Sequence, residues 1–251
     1  MPHDSCPGRS PTMSRIGFIS GAALKHLEPF RNLRPQVLET AFGTATVHVS
    51  ETLAYIGRHG PDPDGYILPN RINHPANLKA LKDLGCTEVI GLNSVGSLKT
   101  RLAPGAIVVP HDFIELYGTS TVFSDRPVHV VPGLDEPVRQ RLIAAAGAAG
   151  IEVMASGIYW QTTGPRLETR AEIAMMAAFA DVVGMTMAGE AVIACELELA
   201  YGSLCSVDNY GHGLVETPPT PAQIAATARE NADRMGRIVR AYLKRRPGTP
   251  P

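Results

Sequence analysis

Arg15-Ile-Gly-Phe-Ile-Ser-Gly-Ala-Ala-Leu24 and Thr87-Glu-Val-Ile-Gly-Leu-Asn-Ser-Val-Gly-Ser97 decide the fold class. Each is a short apolar run that ends in small residues, as a buried strand does when it feeds a tight loop. The second follows Pro75 to Leu84, where Leu78, Leu81 and Leu84 recur at three-residue spacing, as along one side of a helix. Helix followed by buried strand is the grammar of βαβ units, so an α/β domain is expected.

The rest of the chain continues that grammar. Strands are expected at Ala106–Pro110, Gly157–Gln161, Asp181–Thr186 and Gly202–Val207. Helices are expected at Glu136–Ala149, Glu168–Phe179 with Thr169 as cap, Glu190–Leu199, and Ala222–Lys244 as a long amphipathic closing helix. Residues 1–13, rich in Pro, Gly and Ser, read as a disordered leader, with Met13 an alternative start. Residues 245–251 read as a flexible tail. No repeat or linker divides the stretch between, so 14–244 is expected to form a single domain.

Composition excludes several classes. The 23 basic and 24 acidic residues leave a net charge of −1, which disfavours binding to nucleic acid. No stretch approaches 18 uninterrupted apolar residues, and no basic segment leads into an apolar one at the N-terminus, so no membrane partner is expected. Cys6, Cys86, Cys195 and Cys205 form no CxxC pair; they read as free thiols in a reducing, cytoplasmic setting, with no metal site. Only 19% of residues are charged, which points to surface hidden in an oligomer.

In open α/β sheets, ligands bind beyond the carboxyl ends of strands. The segments at such ends are Ser20-Gly21-Ala22, Arg58-His59-Gly60, Asn93-Ser94-Val95-Gly96, Thr163 to Glu168, Gly184-Met185-Thr186 and Asp208-Asn209. Backbone N–H groups with one fixed guanidinium suit a phosphate. Glu168 and Asn209 suit the edge of a heterocycle. Taken singly, each segment has a plainer reading: a solvated loop for Arg58-His59, an Asx-turn for Asn209, core packing for Met185. No GxGxxG or Walker pattern marks Ser20-Gly21-Ala22 as a nucleotide loop.

The order of these segments is the stronger signal. Ile16-Gly17-Phe18-Ile19-Ser20-Gly21, Arg58-His59-Gly60, Ile72-Asn73, Gly96-Ser97-Leu98, Gly164-Pro165-Arg166 with Glu168-Thr169, and Gly184-Met185-Thr186 with Glu190 occur in one sequence. This resembles the purine nucleoside phosphorylase family, in the branch that contains methylthioadenosine phosphorylases, over about residues 15 to 240.

That resemblance implies a three-layer α/β fold, a mixed central sheet flanked by helices, usually assembled as a homotrimer or hexamer. It implies reversible phosphorolysis of purine nucleosides, with phosphate as co-substrate and no cofactor or metal. Phosphate would be held by the Ser20–Ala22 loop, Arg58, His59, Ser94 and Thr186. The ribose would lie on Met185, with Glu190 near it. The purine would meet Leu167, Glu168 and Asn209. The adenine-selective branch places Asp where Asn209 stands, so Glu168 with Asn209 implies inosine- or guanosine-type bases.

Four departures bear on the reaction. Ala22 stands where the family carries a hydroxyl, and Leu167 where an aromatic stacks on the base. The stretch from Thr217 to Ala225 is largely apolar and lacks the His that meets a 5′-hydroxyl, which favours a 5′-deoxy or 5′-thio sugar; His212 is the near substitute. His129 resembles a histidine that reaches the neighbouring subunit's sugar pocket. Asp208 lies where related nucleosidases carry a general acid, so a hydrolase of the same fold is an alternative, and a non-catalytic nucleoside-binding protein is a second.

Overall fold

The computed structural model describes residues 15–21, 27–60, 65–118, 121–217 and 220–245. The expected leader, Ala22, Pro61–Asp64 and all of the tail except Arg245 lie outside them. In chain order the elements are β1 (Arg15–Ser20), β2 (Arg34–Thr40), β3 (Gly43–Val49), β4 (Leu53–Gly57), α1 (His74–Asp83), β5 (Cys86–Ser97), β6 (Ile107–Val108) and β7 (Asp112–Glu115). Then come α2 (Glu136–Ala148), β8 (Ile158–Gln161), α3 (Arg170–Met176), β9 (Val182–Gly184), α4 (Met187–Glu196), β10 (Ala200–Tyr210) and α5 (Pro221–Lys244).

Side-chain alternation along β1 makes three layers. Ile16 and Phe18 join Ile90 and Leu92 of β5 in a core with Val138 and Leu142 of α2 and with Met235 and Ile238 of α5. Ile19 and Val89 face the other way, onto Leu78 and Leu81 of α1 and Ala191 of α4. Both faces of the sheet are therefore covered, which is why β1 reads as a continuous apolar run. Burying each such Leu or Ile contributes about 1.5–3 kcal/mol.

The helices start where side chains satisfy their free N–H groups. Asn73 accepts from Ala76 N before α1, and Asp135 accepts from Val138 N before α2. Thr169 with Glu172, and Thr220 with Gln223, form capping boxes on α3 and α5. Thr169 is thus outside its helix, so α3 begins two residues later than the sequence suggests.

The ten described strands form one mixed sheet, ordered β2-β3-β4-β1-β5-β9-β8-β7, with β10 added along β5 and β6 along β10. β1 pairs in parallel with both β4 and β5. β5 then leaves β1, and its Gly96–Ser97 end pairs antiparallel with β9. The chain thereby gathers the carboxyl ends of β1, β4, β5, β9 and β10 around one place.

Three expectations are revised by this pairing. The strand expected at Ala106–Pro110 is only the two-residue β6. The helix expected from Glu190 begins at Met187. β10 runs past Val207 through Asp208 and Asn209, because parallel pairing to β5 continues to its end. Register shifts there: Val207 faces Val95 and Asn209 faces Gly96, leaving Asp208 without a partner residue. Such a bulge re-aims neighbouring side chains, and it does so here.

Candidate active site

A cavity of about 410 Å³ opens where those strand ends meet. Gly21, Arg58, His59, Ser94, Leu167, Glu168, Met185, Thr186 and Asn209 all line it. Eight of the eleven side chains expected at the site are thus brought to one cavity.

Arg58 directly follows β4 and is almost wholly buried. Its Nε donates to Glu190 Oε1 at 2.7 Å, and its Nη2 donates to Glu190 Oε2 at 3.4 Å and to Ile19 O at 2.9 Å; Nη1 donates to Leu92 O at 3.0 Å. Four of the five guanidinium N–H groups are thereby spoken for, so the positive charge is held rigidly at the cavity wall. Glu190 is fully buried and also accepts from Tyr201 Oη at 2.7 Å. It does not line the cavity, where the resemblance implies a place near the sugar, and is instead the buried counter-ion of Arg58.

Ser20 is corrected in the same way. Its hydroxyl donates to Gly21 O at 2.8 Å and lies 2.7 Å from Tyr55 Oη, fully buried. It does not line the cavity; the backbone of Gly21 does. Ala22 falls outside the described residues.

Thr186 is oriented from behind. Its hydroxyl donates to Asn93 Oδ1 at 3.0 Å, and Asn93 Nδ2 in turn donates to Ser203 Oγ at 2.8 Å. Tyr159 Oη accepts from the N–H groups of Thr186 and Met187 at 3.1 and 3.3 Å. A Cβ on Gly184 would overlap that phenol, which explains the glycine before Met185. At Gly164 the reason is the backbone, whose φ of +61° suits glycine.

His59 stacks on Tyr66, with ring centroids 4.8 Å apart and planes 9° from parallel. Its Nδ1 lies 2.8 Å from Ile67 O, and a carbonyl only accepts, so Nδ1 carries the proton. Burial, and next the Arg58 charge, lower its pKa against the opposing carbonyl contact, so the ring is held neutral with Nε2 bare.

Glu168, also in the cavity lining, accepts from Thr162 Oγ1 at 2.7 Å through Oε1, leaving Oε2 unused by that bond. Asn209 donates one amide hydrogen to Tyr210 O at 2.9 Å and keeps the other. Asp208, on the bulge, is turned away from the cavity: its carboxylate accepts from Ser94 Oγ and, at 2.8 Å, from Asn231 Nδ2.

The sequence profile described as the phosphorylase superfamily matches residues 15–244. The chain belongs to that superfamily. It is 41% identical over 235 residues to a protein of Archaeoglobus fulgidus named probable 6-oxopurine nucleoside phosphorylase, covering 92% of this chain and 96% of that one. It is 36% identical over 239 residues to a Methanothermobacter thermautotrophicus protein named probable S-methyl-5′-thioinosine phosphorylase, covering 91% and 83%. Among solved structures, methylthioadenosine phosphorylase from Schistosoma mansoni in complex with adenine superposes with a TM-score of 0.81 at 26% identity, covering 92% of this chain and 90% of the other.

The superfamily's fold is therefore present, as expected. Sequence reasoning missed Tyr66, Pro69, Val183 and Tyr210 as cavity walls, and Tyr55, Tyr159 and Tyr201 in the supporting layer, where Asn93 stands behind the cavity instead of lining it. Tyr159 and Tyr201 carried a readable signal: aromatic hydroxyls inside apolar strands need buried partners. Among the described residues, no helix is long and apolar enough to cross a membrane.

Proposed function

We propose that this phosphorylase cleaves the N-glycosidic bond of 6-oxopurine nucleosides, with phosphate as co-substrate, giving the free base and a pentose 1-phosphate. The observation that carries the reading is the single cavity whose wall holds Arg58, Thr186, Glu168 and Asn209 together. The names of the Archaeoglobus and Methanothermobacter relatives support it.

In the reaction the C1′–N9 bond breaks with its electron pair going to the purine, and a phosphate oxygen bonds to C1′. Positive charge builds on the sugar and negative charge on the base. The Arg58 charge and the Gly21 and Thr186 segments hold the anion beside the sugar. The free Asn209 N–H donates to the N7/O6 edge as charge develops there, and Glu168 accepts from N1–H. No metal or organic cofactor is called for. Met185 supports the ribose.

Tyr66, Pro69, His212 and Ile224 are also in the cavity lining, and the 5′ substituent is accommodated there: a hydroxyl on His212, or a 5′-deoxy or 5′-methylthio group on the apolar side chains. Leu116, Tyr117, Val131, Met175 and Phe179 are large and exposed, which supports a homotrimer or hexamer that covers them. The free thiols of Cys195 and Cys205 fit a cytoplasmic setting.

Hydrolysis with Asp208 as general acid is disfavoured by its carboxylate facing Ser94 and Asn231 instead of the cavity. The test is base release from inosine, guanosine, adenosine and 5′-methylthioinosine, with and without phosphate. Phosphate-dependent release from a 6-oxopurine nucleoside is expected; equal release without phosphate would identify a hydrolase.

A further inference from the structure

Asp208 and Asn231 form a buried chain that ends on a cavity hydroxyl, and a backbone carbonyl fixes the direction of the Asn231 bonds in it. Asn231, on α5, donates through Nδ2 to Val207 O at 3.0 Å and to Asp208 Oδ1 at 2.8 Å. A backbone carbonyl only accepts, so the amide orientation is set and both its hydrogens are used. Asp208 is therefore an acceptor at Oδ1, and its Oδ2 accepts from Ser94 Oγ. Asn231 and Asp208 are almost fully buried, whereas Ser94 is exposed to the cavity.

A serine hydroxyl has one proton and two lone pairs. With that proton held by Asp208, Ser94 turns only lone pairs toward the ligand. It cannot donate to a bare phosphate oxygen, the role that the family resemblance implies for it. We infer that Ser94, polarised by Asp208, is an acceptor for a substrate O–H group, and that Asp208 is a positioning residue acting through Ser94.

The inference rests on the phosphorolysis reading, in which two groups bring an O–H into this cavity: the ribose hydroxyls and the protonated oxygen of hydrogen phosphate. Both use the same chemistry. In the phosphate case it also serves the proton balance, because hydrogen phosphate loses one proton overall and the departing base gains one.

The experiment compares the wild type with Ser94→Ala, Asp208→Asn and the double variant, on inosine, 2′-deoxyinosine and 3′-deoxyinosine at varied phosphate. Each single variant is expected to lose about ten- to a hundredfold in kcat/KM for inosine, and the double variant no more, because both remove one acceptor. Ser94→Thr, which keeps the hydroxyl, is expected to restore most of the activity. If a ribose hydroxyl is the donor, wild-type discrimination against one deoxynucleoside collapses in the variants. If phosphate is the donor, all three nucleosides lose equally and the KM for phosphate rises. Should Asp208→Asn fail to fold, Ser94→Ala with its Thr rescue reads the same quantities, since it leaves the Asp208–Asn231 bond in place. Multiplying losses in the double variant would overturn the inference, as would unchanged discrimination together with an unchanged phosphate KM. A wild type that releases base from neither inosine nor 5′-methylthioinosine with phosphate would instead overturn the phosphorolysis reading beneath it.

Discussion

Arg58 and Glu190, 132 residues apart, meet in an ion pair closed to solvent: Nε to Oε1 is 2.7 Å, with side-chain exposures of 3% and 0%. Removing one partner of such a pair strands the other charge in an apolar setting. Glu190→Ala is expected to lower unfolding free energy by about 3–5 kcal/mol, read from urea midpoints. Saturating phosphate should recover more stability in this variant than in the wild type, because an anion in the cavity replaces part of the lost counter-charge. Equal stabilisation of both proteins would separate Arg58 from the phosphate site.

Asn209 keeps one N–H for the ligand while the other donates to Tyr210 O. An aspartate there has no hydrogen to offer a 6-oxo group, but accepts from a 6-amino group. Asn209→Asp is therefore expected to lower the inosine-to-adenosine ratio of kcat/KM at least tenfold, of the order set by an unpaired buried polar group. Unchanged ratios would remove Asn209 from the base edge.

Leu167 lines the cavity, well exposed in the single chain, and the proposed reading sets the base against it. A flat ring there adds stacking that leucine lacks, about 0.5–1.5 kcal/mol. Leu167→Tyr should lower the KM for inosine roughly two- to tenfold, with kcat little changed. A fall in kcat without a gain in KM would show that leucine is needed for its shape.

Much of this site was readable before the fold was known, for an identifiable reason. β1, β5 and β10 are buried on both faces, so they appear as apolar runs, and the polar residues closing those runs are the cavity. The β2–β3 hairpin escaped because its strands are largely exposed, with no clean alternation. What sequence could not give was side-chain direction. Ser20 and Asp208 sit at the expected strand ends, yet one turns to Tyr55 and the other, displaced by the bulge, to Ser94. Glu190 likewise reads as a polar helix residue until Arg58 arrives beneath it.

His74 begins α1 within reach of the Arg58 and His59 charges, and its Nδ1 is buried with no hydrogen-bond partner among the described residues. Burial first, then the charges of Arg58 and His59, push its pKa down to about 3. The positive end of the helix dipole acts in the same direction. The unfolded chain accepts this proton near pH 6.5, whereas the folded chain refuses it until about pH 3. Between those values the unfolded state binds more protons, so stability is full above pH 6.5 and falls as pH drops. At about 1.4 kcal/mol per pH unit, the wild type should lose about 2 kcal/mol from this group between pH 6.5 and 5, a window mostly above the carboxylate range. His74→Gln carries no such proton. Its stability, measured by urea unfolding at both pH values, is expected to fall by about 2 kcal/mol less than that of the wild type. Parallel losses in the two proteins would show that His74 is protonated as readily in the folded chain as in the unfolded one.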